Sequence, residues 1–310
     1  MKHRVAIILF AFILLLTACG TANEQAVPNN EEVPEGEGDD AAADTSFEVF
    51  KIGVIPALTE GDYEVPMQKL EAILDEALPY DVEIEVYPDY NAVVEALNFH
   101  HIQMAYLGPS TYVIANERSG AQAIVTQLID GKPYYHSYII THVDAPWDTL
   151  DELVADAANV SFAFGDINST SGSLVPSVEL KERGVFEDEN NHQFKDVRYL
   201  GSHDATGQAV QNKHVDAGAI DSAYFNTLIK QGKLDEDQFK VIWESEPLYQ
   251  YPWAVSAEVD EELIQLIQDT FVNIDDEEIL RGFGATGFTT TSDEHYDEIR
   301  KVMRETGKLD

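Results

Sequence analysis

From residue 47 onward, short apolar runs alternate with stretches in which apolar residues recur every three or four positions. "FEVFKIGVIP" and "VEIEVYP" read as strands, the second by its strict alternation, and "VPMQKLEAILDEAL" between them reads as an amphipathic helix. A helix over "NAVVEALNFH" follows, then a short buried strand, "QMAYLG", and a helix opened by Pro109. "AQAIVTQLI" and "YYHSYIITH" supply two further strands. After "DAPWDTLDEL" the alternation restarts: strand "VSFAF", a helix from about Leu174, strand "DVRYL", helix "DATGQAVQNKH", strand "DAGAI" and helix "AYFNTLIKQG". Strand "FKVIWES" precedes "YPWAVSA", and three helical stretches close the chain between Asp260 and Thr306. Two such βα series predict an α/β protein of mainly parallel sheets flanked by helices, in two lobes. The chain is expected to cross between lobes near Thr141–Ala145 and Gln250–Val255, so that residues 47–142 with 252–310 form lobe 1 and 143–251 form lobe 2.

The N-terminus follows a different pattern. Lys2 and Arg4 precede the run "VAIILFAFILLL", which is shorter than the roughly 20 residues of a membrane span and suits a secretory signal. "LTAC", ending at Cys19, resembles a bacterial lipobox, in which the cysteine becomes the lipid-bearing N-terminus. Cys19 is the only cysteine, so there is no internal disulfide, catalytic cysteine or cysteine-based metal site. Residues 1–19 are expected to be a lipoprotein signal peptide and 20–46 a tether. Eight acidic residues and no basic one between Asn23 and Ser46 make that stretch self-repelling and too polar to bury a core. The folded part then stands outside the cytoplasm, held to the membrane by lipid, on what reads as a Gram-positive cell surface.

Charge narrows the partners. The chain has 57 acidic against 19 basic residues, a formal net charge of −38, and the excess is spread along the folded region. No basic face exists to meet phosphates, which excludes nucleic acid. Such a surface suits a salt-rich medium, where self-repulsion is screened.

Against that background "GDINSTSGSLVPS", Gly165 to Ser177, stands out. Ser169, Thr170 and Ser171 sit between an apolar strand and a predicted helix, the layout of an anion cradle made of hydroxyls and free backbone N–H groups. Neutral donors at a helix N-terminus recognise an anion without net positive charge, because the first turn carries about half a unit of positive charge itself.

These motifs resemble the phosphonate/phosphite/phosphate-binding proteins of ABC importers, within the type II periplasmic-binding-protein fold. The likeness runs from about Phe47 to the C-terminus and is carried by "PDYNAVVEAL", "AYLGPSTY", "DGKPYYHSYII", "GDINSTSGSLVPS", "GSHDATGQAV", "VDAGAID" and "VIWESEPL". It implies that Ser169, Thr170 and Ser171 grip an oxyanion head, joined by His203 of the "GSH" turn, Tyr90 and Tyr135. Where members that bind aminoethylphosphonate place two carboxylates around the amine, this chain has Ala223 and Tyr251, which counts against an aminoalkyl ligand. Asp221 is nearby and joins the candidate ligand residues, with a helix N-cap as its alternative role.

The resemblance therefore implies an extracytoplasmic, monomeric binding protein that captures a small phosphorus oxyanion by hinge closure and delivers it to a membrane permease. Neither Ser169 nor Ser171 stands in a G-x-S-x-G elbow, and adjacent His100 and His101 lack metal-ligand spacing. No catalytic residue, metal or cofactor is expected. A sensory binding protein serving a membrane kinase, and a carrier of another small anion such as a sulfonate, stay open as alternatives.

Overall fold

The computed structural model describes residues 47–310 except Glu60, Asp62 and Asp310; the predicted signal peptide with Cys19, and the tether 20–46, lie outside the described residues. Strand β1 (Phe50–Val54) buries Phe50, Ile52 and Val54, and pairs in parallel with β2 (Val82–Val86) and β3 (Met104–Tyr106). Helix α1 (Glu64–Ala77) covers them through Pro66, Met67, Leu70 and Leu74, a spacing that puts all four on one face. Helices α2 (Tyr90–Asn98) and α3 (Pro109–Ser119) follow β2 and β3. Proline at the start of α3 and Gly120 at its left-handed end, φ 70°, fix its limits. Strand β4 (Gln122–Leu128) completes the first pass.

The chain then leaves this sheet through a tight turn at Asp130 and Gly131, both at positive φ. Here the structure differs from the expected crossing near 141–145. The run read as one strand over 134–142 is two: β5 (Tyr134–Tyr135), outside both main sheets, and β6 (Ser137–His142), which already belongs to the second sheet. The apolar pattern continues through the break, and a pattern cannot say which sheet a strand joins.

The second lobe comprises α4 (Leu150–Ala155), β7 (Ser161–Phe164), α5 (Val175–Glu182), the hairpin β8 (Phe186–Asp188) and β9 (Asn191–His192), β10 (Asp196–Tyr199), α6 (His203–Gln211), β11 (Ala217–Asp221), α7 (Ser222–Lys230) and β12 (Phe239–Glu244). Its sheet runs β10-β7-β11-β6-β12, with the Phe162, Phe164, Phe186 and Phe194 side chains packed together on it. The chain returns through β13 (Leu248–Tyr249), which pairs antiparallel with β5, and β14 (Pro252–Val255). Helices α8 (Glu261–Val272) and α9 (Glu277–Gly282), strand β15 (Gly287–Thr290) and helix α10 (Asp297–Glu305) close the chain.

The first sheet has the order β15-β4-β14-β3-β1-β2. Most strands of each sheet run the same way, as expected, but both sheets are mixed: β14 is antiparallel to β3 and β4, β15 to β4, and β6 to β11 and β12. The reason is the double crossing. A strand arriving from the other lobe enters its sheet from the end opposite to that of a strand joined through a crossover helix. Both sheets with their helices form the expected two-lobed α/β fold, and β5 and β13 are the two strands that bridge the lobes.

Candidate functional site

Five helical segments begin at one place, each following the end of a strand or its loop. Tyr90 opens α2, Pro109 and Ser110 open α3, Thr170 opens a wide helical turn (Thr170–Leu174) leading into α5, His203 opens α6 and Ser222 opens α7. Ligands of open α/β sheets lie at such carboxyl ends, and the first-turn N–H groups have no acceptor inside their own helix. Five N-termini aimed at one region give positive potential without a cation.

Side-chain capping fixes four of the five segments, all but α3. Asp89 accepts from the Ala92 N–H (2.8 Å), and Ser169 Oγ accepts from the Gly172 N–H (3.0 Å). Ser202 caps α6 and Asp221 Oδ1 caps α7, accepting from the N–H groups of Ala223 (2.7 Å) and Tyr224 (3.0 Å). Ser137 Oγ donates to the Ser171 carbonyl (2.6 Å), tying the cradle to β6. The turn packs tightly enough to need Gly172: a Cβ there would lie 2.9 Å from Ser169 Oγ and 3.2 Å from His203 Cε1.

Six of the seven candidate ligand residues, together with Tyr251, are linked side by side. Ser169, Thr170, Ser171 and Asp221 are fully buried, and Tyr90, Tyr135 and His203 are 1 % exposed. The Asp221 N–H donates to His203 Nδ1 (3.3 Å), so that nitrogen bears no proton; Nε2 bears it and faces Tyr251 Oη at 3.2 Å. Burial pushes the His203 pKa down to about 4 and that of Asp221 up to about 7. Tyr135 stacks edge-on to Tyr251, with ring centres 5.3 Å apart, and has Ser171, Thr170 and Asp221 for neighbours. Tyr90, the seventh, stands beside Ser169. Burial raises the pKa of each of these tyrosines, so their hydroxyls keep their protons.

Three polar atoms in this cluster have no hydrogen-bond partner in the protein: Tyr135 Oη, Ser171 Oγ and Asp221 Oδ2. Ser171 and Tyr251 are near enough to favour the ionised Asp221, yet Ser171 Oγ and Asp221 Oδ2 make no bond of proper geometry to each other. Buried unpaired polar atoms are costly, and three around one spot describe a seat for a polar ligand.

Thr170 differs from its neighbours. Its hydroxyl donates to Ser110 Oγ and accepts from the Ser110 N–H, so it joins the lobes rather than facing the cradle. Asp204, next to His203, accepts from both the N–H (3.1 Å) and the hydroxyl (2.8 Å) of Thr59, and the His203 N–H donates to the Ala57 carbonyl (3.0 Å). Tyr224 Oη lies 2.9 Å from Tyr106 Oη and 3.2 Å from Tyr63 Oη. These contacts hold the cleft shut. The sequence reading names none of Thr59, Ser110, Asp204 or Tyr224 as functional. Ser110 alone carried a usable signal, since Gly108-Pro109-Ser110 repeats the strand–glycine–helix layout seen at Gly165.

The open crevice of about 300 Å³ between α7 and α9, lined by Thr227, Lys230, Glu277 and Arg281 among others, includes none of the candidate ligand residues. Among the described residues no cluster of side chains has metal-binding geometry, and no helix is long and apolar enough to cross a membrane.

Comparison with known proteins gives the family. A profile of the family described as "ABC transporter, phosphonate, periplasmic substrate-binding protein" matches residues 52–296. The phosphate-import protein PhnD of Mycolicibacterium smegmatis is 26% identical, the alignment covering 98% of this chain and 96% of that protein. The phosphonates-binding periplasmic protein of Escherichia coli is also 26% identical, over 84% of this chain and 78% of its own. The structure of PhnD1 from Prochlorococcus marinus in complex with methylphosphonate superimposes with a TM-score of 0.75 at 22% identity, over 84% of this chain and 99% of that one.

Proposed function

This chain belongs to the periplasmic substrate-binding proteins of phosphonate ABC transporters, and from that premise we propose that it captures a small phosphorus oxyanion between its lobes. The observation that carries the reading is the trio of unpaired, fully enclosed polar atoms, Tyr135 Oη, Ser171 Oγ and Asp221 Oδ2, beside the N-terminus that Thr170 opens. Ser171 and Tyr135 hydroxyls, with the first-turn N–H groups of Thr170 and Ser171, give the donors that an oxyanion head requires. His203 and Tyr90 complete the wall, and His203, neutral with its proton on Nε2, turns that proton to Tyr251 Oη and so adds no charge.

The lobes open about the bridging strands β5 and β13 and close when ligand joins their facing surfaces, the closed form being the one a membrane permease receives. Ala223 and Tyr251 leave no carboxylate pair for an amine, which favours phosphite, phosphate or a short alkylphosphonate over an aminoalkyl one. No step breaks a covalent bond: the serines lack a general base, since His203 is occupied by the Asp221 N–H and Tyr251. The protein is a monomer tethered through a lipidated Cys19 and the acidic stretch behind it, outside the cytoplasmic membrane of a Gram-positive cell.

A thermal-shift and tryptophan-fluorescence titration against phosphate, phosphite, methylphosphonate, aminoethylphosphonate and sulfate tests this. A ligand at 100 times its Kd adds about 2.7 kcal/mol of stability. A shift with one of the first three supports the reading; a shift with sulfate alone, or with no member of the panel, overturns it.

A further inference from the structure

A seat built only to hold an anion has no use for a carboxylate, yet Asp221 stands in the middle of this one. We propose that Asp221 makes the site take its oxyanion together with one proton: Oδ2 pairs with a P–OH of the ligand, so that anions unable to carry a proton, sulfate and alkylsulfonates, are refused. This rests on the phosphorus-oxyanion reading above and adds the protonation state and the basis of discrimination.

The two carboxylate oxygens of Asp221 have different surroundings. Oδ1 is occupied by the N–H groups of Ala223 and Tyr224. Oδ2 is fully buried, has no partner, and has Ser171 and Tyr251 beside it. An ionised carboxylate oxygen is an acceptor and nothing else, so the group that completes it must be a donor. A phosphite or alkylphosphonate monoanion, or the hydrogen phosphate dianion, offers acceptors to Ser171 and Tyr135 and one O–H to Asp221. A sulfate or sulfonate offers only acceptors and sets a lone pair against the carboxylate.

Nothing else nearby relieves that clash. Facing Asp221 are His203 from α6, Tyr135 from β5, Tyr251 beyond β13, Tyr138 from β6 and Tyr224 from its own helix, with Tyr63, Tyr90 and Tyr106 from the other lobe. The tyrosines are neutral. His203 Nδ1 accepts from the Asp221 N–H, and burial opposes its protonation. Asp204 acts on His203 and Tyr63, and Asp166 on Tyr90, which adds negative potential. Two like charges enclosed in one dry site cannot both ionise. One proton between Asp221 and the ligand resolves this, and the proton count of the complex is the same whichever oxygen holds it. Burial already moves Asp221 in that direction, its pKa standing at about 7.

Asp221→Asn isolates the effect. Asparagine caps a helix as well as aspartate does, so its Oδ1 still serves Ala223 and Tyr224 while an NH2 donor replaces Oδ2. Calorimetric titration with phosphite, phosphate, methylphosphonate, sulfate and methanesulfonate, from about pH 6 to about pH 9 in buffers of differing ionisation enthalpy, reads both affinity and protons taken up.

The native protein is expected to bind the phosphorus oxyanions and refuse sulfate by about 100-fold or more. Where the phosphite or methylphosphonate dianion and the ionised carboxylate are the free forms, affinity should fall about tenfold per pH unit with uptake of one proton, whereas the phosphate dianion, which keeps a P–OH of its own, should need none. Asp221→Asn should flatten that slope and improve sulfate binding by about tenfold or more. An Asn variant that keeps the native slope and still refuses sulfate overturns the proposal, as does a native protein that binds sulfate as tightly as phosphite. Should the variant not fold, proton uptake by the native protein decides: none on binding phosphite or methylphosphonate above about pH 8 overturns the proposal. If the native protein binds no phosphorus oxyanion at any pH, the functional reading itself fails, an outcome separate from the others.

Discussion

The Thr170 hydroxyl donates to Ser110 Oγ at 2.9 Å and accepts from the Ser110 N–H at 2.8 Å. One side chain thus spends both its bonds across the cleft, joining the cradle to the first turn of α3. Thr170→Val keeps the shape and removes both bonds, at about 1 kcal/mol for each. Because they exist only when the lobes meet, the cost falls on closure. Ligand dissociation, measured by stopped-flow fluorescence, should quicken by about tenfold, with the unliganded melting temperature changed far less. An unchanged dissociation rate would show that the bond does not govern closure.

Ser169 and Ser171 are two residues apart and should behave differently. Ser171 Oγ bonds to nothing in the protein. Ser171→Ala should leave unliganded stability alone and weaken oxyanion binding by about 10- to 100-fold, the value of a bond to a charged group. Ser169 Oγ accepts from the Gly172 N–H. Ser169→Ala should lower stability by about 1 kcal/mol in urea denaturation as well as impair binding. Equal losses of stability in both variants would contradict the assignment.

Gly172 is the tightest point of the cradle. A Cβ would press on Ser169 Oγ at 2.9 Å, His203 Cε1 at 3.2 Å and Gly165 Cα at 3.3 Å. The glycine contact cannot yield without moving the strand end. Gly172→Ala should therefore displace the cap and His203 together and abolish detectable ligand shifts, while circular dichroism shows the fold retained. Native-like binding by this variant would refute the packing argument.

The buried pair Asp221 and His203 should give unliganded stability two opposing dependences on pH. The folded His203 pKa, about 4, lies below its usual 6.5. The unfolded chain therefore holds the extra proton between those values, and this group costs stability as pH falls from 6.5 towards 4. The folded Asp221 pKa, about 7, lies above its usual 3.8. The folded chain then holds the extra proton, and its contribution is present at low pH and lost as pH rises through 7. Each slope is bounded at about 1.4 kcal/mol per pH unit, and over the shared range they offset each other. Denaturation between about pH 4.5 and pH 6.5 should find Asp221→Asn losing stability on acidification and His203→Gln gaining it. Parallel profiles in the two variants would count against these shifts.

Much of the architecture was legible because it depends on local periodicity. Helical spacing of Met67, Leu70 and Leu74 gives α1, and alternation in "VEIEV" gives β2. Proline and glycine at the ends of α3 mark its limits. The hairpin β8–β9 and the edge strand β15 were not predicted, being short and weakly apolar. Nor did the chain's pattern separate β5 from β6, since both are apolar and contiguous.

The sequence by itself determined that hydroxyls and a glycine would gather at a helix start after "VSFAF", because capping and strand–turn–helix chemistry act within a few residues. It also determined that charge would not be the means of recognition, since few cations are available. Only the tertiary structure decided which hydroxyls are free. Thr170 is taken up by Ser110, 60 residues away, and Asp221 divides its oxygens between its own helix and the cleft, beside a histidine 18 residues back. Desolvation has the same origin: Asp221 and His203 depart from their ordinary pKa values because two lobes enclose them. No local pattern encodes that enclosure, because it depends on segments brought together by the double crossing of the chain.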